Sequence, residues 1–317
     1  MKRFFSMILP PLLAVFIMAA ACEKIQDKPV EQQKKLKVVT TLFPLYDFAK
    51  NVGTKHADVS LLLPPGVEAH AYEPKPTDMT RIQNADIFIY TGKHMEPWVE
   101  DILKGIDTKK IAIVDASRGI TLMTGTHEDK EGHFHKHESG APDPHIWLDF
   151  SHAIKMVETI SAGFITRDPQ NRDVYLKNAD EYRKRLEDLD RKYRNALSTC
   201  KKRIIIHAGH FAFGYLVKRY GLHYVSAYRG FTPDSEPTPK RLIELIDKLK
   251  KSGLDTIYHE ELINPRVGEA ISKETGARML MLHGAHNITK DEMERRVEFI
   301  PVMEKNLENL KVGLQCQ

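Results

Sequence analysis

The sequence predicts an α/β protein built as two Rossmann-like α/β lobes joined by one long rigid helix, and three observations carry that prediction. Short apolar, β-branched runs recur between helical patterns in the first half, at 37–42, 59–63, 86–90 and 111–115. The same alternation returns in the second half, at 203–207, 223–227, 256–259 and 279–283. Between the halves, residues 168–198 form one polar, helix-favouring stretch with a single apolar stripe. Short apolar runs bounded by helices are the pattern of strands buried on both faces of a parallel sheet.

The elements follow in order. Residues 1–21 read as a signal peptide: Lys2 and Arg3, an apolar stretch from Met7 to Met18 broken by Pro10 and Pro11, then Ala19-Ala20-Ala21. The stretch is too short and wrongly flanked to span a membrane. Small residues running into Cys22 resemble a bacterial lipobox, which implies cleavage before Cys22 and acylation of that cysteine; ordinary signal cleavage is the alternative. Residues 22–36 are polar and aperiodic, a lipidated tether. Residues 37–150 form the first lobe, with helices expected at 44–52 and 77–84. Residues 151–200 are helical, and 201–317 form the second lobe, with helices at 211–220 and 239–252. In the interlobe helix Tyr175, Ala179, Tyr182, Leu186, Leu189 and Tyr193 recur at helical spacing, and Pro169 suits its start. A spine along both lobes favours small rocking motions over a wide hinge.

Composition narrows the partners. At 317 residues the chain can bury two cores. Its formal charge of +4 falls to +2 once the leader with Lys2 and Arg3 is removed. Basic residues are interspersed with acids and form no stripe with aromatics, so nucleic acid is not expected. The chain is expected to act as a monomer. With Cys22 assigned to lipid, Cys200 and Cys316 remain, an even pair that invites a disulfide in an exported protein. Two separate buried thiols are the alternative.

Histidine placement carries the chemistry. His127, His133, His135 and His137 crowd a charged loop at 126–140, and His145 follows in Asp143-Pro144-His145-Ile146-Trp147-Leu148-Asp149. His70 comes just past the end of an apolar run; His207 and His210 follow another, and His283 and His286 a third. Ligands of open α/β sheets bind beyond the carboxyl ends of strands, so two facing lobes would bring these imidazoles to one interlobe cleft. Neutral imidazole is the commonest protein ligand for divalent transition metals. Both lobes are therefore expected to contribute to metal binding. His207 fits a structural role best, and His223 and His259 are read as structural.

Longer motifs around these histidines resemble a known family. Pro64-Pro-Gly-Val-Glu-Ala-His70-Ala-Tyr-Glu-Pro-Lys-Pro-Thr-Asp78, the Asp143–Asp149 motif and Gly209-His210-Phe-Ala-Phe-Gly-Tyr215 are similar to ligand motifs of zinc and manganese solute-binding proteins of bacterial ABC importers, the ZnuA/TroA-like group. Glu260-Glu-Leu-Ile-Asn-Pro-Arg-Val, Glu274-Thr-Gly-Ala and His286-Asn-Ile-Thr extend the likeness to the C-terminal half. The resemblance implies two α/β lobes on one long helix, with His70, His145 and His210 as metal ligands. It leaves the fourth position open among His286, the preferred choice, His283, Glu68 and water. It also implies a permease of an ABC metal importer as partner and a membrane anchor through lipid.

The histidine-rich insertion before the second motif resembles the zinc-specific members. Three or four imidazoles suit tetrahedral zinc, whereas manganese prefers oxygen ligands. Zn2+ is thus the expected cargo and Mn2+ the alternative, with the loop as a weaker accessory site.

Two other classes compete. A zinc hydrolase also holds its metal with three ligands and an open position, and needs a general base beside the bound water. No His-Glu-x-x-His is present, and Glu68 or Glu260 would have to serve as that base. No enzymatic activity is expected. A surface adhesin is the third class, and no residue pattern favours it.

Overall fold

The computed structural model describes residues 34–124, 126–128, 134–136, 142–228, 230–231 and 237–317, with 126–128 and 134–136 described by backbone alone. The signal peptide, Cys22, most of the tether, His133 and His137 lie outside the described residues.

The first lobe runs β1 (Leu36–Thr40), α1 (Phe43–Gly53), β2 (Ala57–Leu61), α2 (Pro76–Gln83), β3 (Ile87–Tyr90), α3 (Val99–Gly105) and β4 (Ala112–Asp115). Two short strands, β5 (Thr126–Glu128) and β6 (Phe134–Lys136), precede α4 (Phe150–Arg167) and the spine α5 (Arg172–Ser198). The second lobe runs β7 (Ile204–His207), α6 (Gly214–Tyr220), β8 (His223–Ser226), α7 (Pro239–Ser252), β9 (Thr256–His259), α8 (Arg266–Thr275) and β10 (Arg278–Met281). Helices α9 (Lys290–Glu294) and α10 (Phe299–Gly313) complete the chain.

Both four-stranded sheets are parallel, in the orders β2-β1-β3-β4 and β10-β9-β7-β8. Counted from the start of each lobe these orders are the same. Chain direction across each sheet therefore reverses between the first and third strands, β1 and β3 or β7 and β9. The crevice at such a reversal is where α/β sheets bind ligands.

Apolar residues on both sheet faces explain the strands. Val38, Ile87 and Ile89 join one continuous core with α1, α4, α5 and α10, and that core includes Ile205 and Tyr258 of the second lobe. Outer faces close separately: Val39 and Phe88 pack with Ile82 and Val99, and Ile206 and Ile257 with Leu245 and Ile271. A core shared across the lobes resists hinge opening, because opening would expose apolar surface at roughly 25 cal/mol per Å².

The spine is 27 residues, or about 40 Å. It starts later than its sequence pattern suggests. Pro169 opens a single 3-10 turn, Pro169–Asn171, and the α-helix begins at Arg172. Proline lacks an N–H and disfavours a helical residue before it, so α4 ends at Arg167. Asp168 then accepts hydrogen bonds from Tyr175 Oη and Asn171 Nδ2, both at 2.6 Å. The buried stripe ties the spine to both halves: Tyr182 Oη donates to Asp47 Oδ2 of α1 and Tyr193 Oη to the Met303 carbonyl of α10, both at 2.5 Å.

Helix α6 likewise starts at Gly214 rather than Phe211, because the Phe211 amide turns away to the Gly230 carbonyl. The histidine-rich segment departs from a plain loop. Its described backbone pairs β5 and β6 antiparallel, with His127 opposite His135, and Thr124 bridges Pro142 at its base. Cys200 and Cys316 are joined as a disulfide across 116 residues, with the tail also paired through Lys202 N to Leu314 O at 3.0 Å. Among the described residues no helix is long and apolar enough to cross a membrane.

Candidate metal centre

Four histidines meet where the two lobes face each other. His70 lies in the loop after β2. Gly66, at φ +85°, turns that loop, and its amide donates to the Ile288 carbonyl at 2.8 Å. Glu68 closes the turn by accepting the Ala71 amide at 2.9 Å. That local bond explains why Glu68, a candidate ligand, does not join the cluster.

His145 precedes a single 3-10 turn, Ile146–Leu148, and is fully buried. Asp143 Oδ1 accepts both its backbone N–H, at 2.9 Å, and its Nδ1–H, at 2.8 Å. His210 is held the same way: Glu260 Oε1 takes its backbone N–H at 2.6 Å and Oε2 its Nδ1–H at 2.7 Å. Gly209 makes this approach possible, since a Cβ there would sit 1.8 Å from Glu260 Oε1. His286 follows β10 on a segment fastened to the first lobe. Its carbonyl accepts the Phe43 amide at 3.1 Å, and Asn287 Nδ2 donates to Pro64 O and Val67 O at 2.7 and 2.9 Å.

Carboxylate bonds at Nδ1 fix the tautomer and make Nε2 the nitrogen that can ligate. His145 Nε2 accordingly lies 3.3 Å from His70 Nε2 and 3.2 Å from His210 Nε2. One ligand atom from each of His70, His145, His210 and His286 falls within 4.8 Å of the others. Tetrahedral zinc with bonds of about 2.05 Å requires nitrogens about 3.3 Å apart, a spacing that His145 already keeps to His70 and to His210. His70 alone of the four keeps partial exposure.

Electrostatics agree with metal over proton. Burial, then the neighbouring His210 and His286, holds His70 well below the usual imidazole range; burial and the other three rings do the same for His145. Both rings are thus neutral and ready to ligate. Burial pushes Asp143 and Glu260 well above the usual carboxylate range, with Glu261 adding to the effect at Glu260. A divalent cation among the rings would reverse that penalty.

The other sequence candidates fall elsewhere. His283 is not in the cluster: its Nδ1 accepts the Ala285 amide at 2.9 Å, and it packs between Glu261 and Glu292. His207 is buried beside Tyr224, whose hydroxyl bonds Nδ1 at 2.8 Å, and burial pushes its pKa down to about 3. His259 turns Nδ1 to the Glu260 carbonyl at 3.1 Å, and His223 is exposed. His127 and His135 are described in backbone only, so the side chains of the accessory loop lie outside the described residues. Sequence reasoning missed the orienting roles of Asp143 and Glu260. The signal was present, an acid two residues before His145 and a Glu-Glu pair directly after a strand.

Comparison with known proteins gives concordant findings. Residues 38–313 match the family model of the zinc-uptake complex component A, periplasmic. The chain is 39% identical to the high-affinity zinc uptake system protein ZnuA of Bacillus subtilis over 307 residues, covering 96% of each chain. It is 36% identical to the zinc-binding lipoprotein AdcA of Streptococcus pneumoniae, across 98% of this chain but only 61% of that protein. The crystal structure of the Zn(II)-bound ZnuA-like domain of Streptococcus pneumoniae AdcA superposes with a TM-score of 0.76 at 35% identity, over 89% of this chain and 99% of that one.

Proposed function

We propose that this chain, which belongs to the family of periplasmic zinc-uptake component A proteins, is the extracytoplasmic zinc-binding component of an ABC-type importer, capturing Zn2+ and passing it to a membrane permease. The observation that carries the reading is the four-imidazole cluster, its ligand atoms within 4.8 Å of one another and His145 Nε2 at 3.3 and 3.2 Å from those of His70 and His210. His70 and His145 come from the first lobe, residues 37–150, and His210 and His286 from the second, residues 201–317. Each donates Nε2 to the ion. Zinc is favoured over manganese because the donor set is all nitrogen.

No chemical step is required. The rings replace the hydration shell of the ion, and the shared core limits closure to a small rocking of the lobes. Docking on the permease favours release. Catalysis has little support: four protein ligands leave no open position for water, and both Glu260 oxygens are bonded to His210. The chain acts as a monomer anchored by acylated Cys22, and the loop at 126–140 adds weak zinc sites through His127, His133, His135 and His137.

Competitive zinc and manganese titration of the soluble chain beginning after Cys22, beside His210→Ala, tests the reading. One tight zinc per chain, lost in the variant and resistant to manganese, is expected. Preferential manganese binding would overturn the choice of cargo. Deleting residues 127–137 is expected to remove weak sites only; loss of the tight site would refute the accessory role.

A further inference from the structure

Two carboxylates follow β9 in succession, and only the first is accounted for by His210. The Glu261 side chain is just 4% exposed. Its Oε2 accepts the Gly284 amide at 2.9 Å, while Oε1 lies 3.2 Å from His283 Nδ1 and 3.9 Å from His286 Nδ1. Gly284 keeps the space between them open. A Cβ there would lie 2.5 Å from His286 Nδ1 and 3.6 Å from Glu261 Oε1. The other nitrogen of His286, Nε2, is buried and has no hydrogen-bond partner among the described residues. Buried polar atoms ordinarily have one, so an orphaned Nε2 facing three other imidazoles marks a bond still to be made.

The surroundings leave His286 few alternatives. Trp147 stands edge-on to its ring at 5.3 Å and donates Nε1–H to the Gly284 carbonyl at 2.8 Å. His283 is locked by Asn306, which exchanges two 2.8 Å hydrogen bonds with its backbone. A ring shift of about 1 Å brings His286 Nδ1 and Glu261 to hydrogen-bond length. Asp143 and Glu260 already hold His145 and His210 in that way.

We propose that Glu261 is the positioning residue of the fourth imidazole: it accepts Nδ1–H of His286, presents Nε2 to the ion, and thereby sets the preference for a four-nitrogen cation over manganese. The inference rests on the zinc-capture reading. It adds that the fourth bond is made by histidine and depends on a carboxylate that never touches the metal.

The test compares wild type, Glu261→Gln and Glu261→Asp in the soluble chain. Zinc and manganese affinities are measured by competition, and the His286 tautomer by nitrogen NMR of the zinc-loaded protein. Glu261→Gln is expected to weaken zinc ten- to a hundredfold, the range for such orienting partners, to narrow the zinc-over-manganese ratio and to change the His286 nitrogen signals. Glu261→Asp, which keeps the charge, is expected to fall between and carries the test if Gln is not tolerated. Zinc affinity within twofold of wild type and an unchanged tautomer in the folded variants would overturn the proposal. So would a His286→Ala variant that holds zinc as tightly as wild type, an outcome that leaves capture by His70, His145 and His210 standing. Wild type without any tight zinc would instead remove the underlying reading and this inference with it.

Discussion

Glu260 grips His210 at both ends, one carboxylate oxygen on the backbone amide at 2.6 Å and the other on Nδ1 at 2.7 Å. The pair spans the reversal point of the second sheet, since His210 follows β7 and Glu260 follows β9. Replacing Glu260 by Gln is expected to weaken zinc ten- to a hundredfold, because the imidazole loses both its fixed tautomer and its negative partner. Competitive titration measures this, and circular dichroism of the metal-free variant checks that the fold persists.

Asn287 fastens the segment carrying His286 to the loop carrying His70, through the carbonyls of Pro64 and Val67. Its side chain is buried, so Asn287→Ala strands two acceptors at about 1–3 kcal/mol for each that water cannot reach. The expected outcome is a loss of about 2 kcal/mol in urea denaturation and faster zinc release to a chelator in stopped flow. Unchanged release would separate this staple from metal retention.

The Cys200–Cys316 disulfide closes 116 residues. Chain-entropy arguments give about 5 kcal/mol for a loop of that length, with measured losses commonly about 2–5 kcal/mol. Cys316→Ser is expected to lower denaturation stability within that range. Zinc affinity is expected to hold, since neither cysteine belongs to the cluster.

Glu96 is a buried acid accepting from the Thr41 hydroxyl and from the amides of Thr91 and Gly92, both at 3.0 Å. Burial raises its pKa to about 7 from 4.5, outweighing those hydrogen bonds. A raised folded-state pKa on an acid means the unfolded chain loses the proton first. Stability from this group is therefore full below about pH 4.5 and declines as pH rises to about 7, by about 3 kcal/mol. Wild type compared with Glu96→Gln at pH 5 and pH 8 isolates the effect: the variant is expected to lack that part of the decline.

Zinc binding has the opposite pH sense. His70 and His145 are held well below the ordinary imidazole range, so protons compete with the ion only well below pH ~6.5. Affinity is expected to stay nearly flat from pH 8 past pH ~6.5 and to fall only at lower pH, since the buried, mutually repelling rings resist protonation. Isothermal titration across the range would show the decline already under way at pH ~6.5 if the rings were instead ordinary.

Much of this architecture is legible in the residues. The strands announce themselves because each is a short apolar run, and α7 matches its expected span, Pro239–Ser252, since an apolar stripe and flanking proline and glycine mark both ends. The pair β5–β6 was not legible, since Phe134 is its one apolar residue and backbone pairing makes it. His286 and His283 both follow β10, and spacing cannot separate them. The choice is made by backbone geometry: Ala285 at φ +58° turns the chain, and the Ala285 amide captures His283 Nδ1. Glu261 was hidden for a similar reason, because which of two adjacent acids serves which ring depends on Gly209 and Gly284 leaving room.

Four imidazoles between the lobes are expected to hold one zinc. Anomalous diffraction at the zinc edge from zinc-loaded crystals tests it most directly. A single strong peak is expected about 2.0–2.1 Å from Nε2 of His70, His145, His210 and His286. A peak elsewhere, or one bonded to three of these rings with a carboxylate or water in the place of His286, would contradict it.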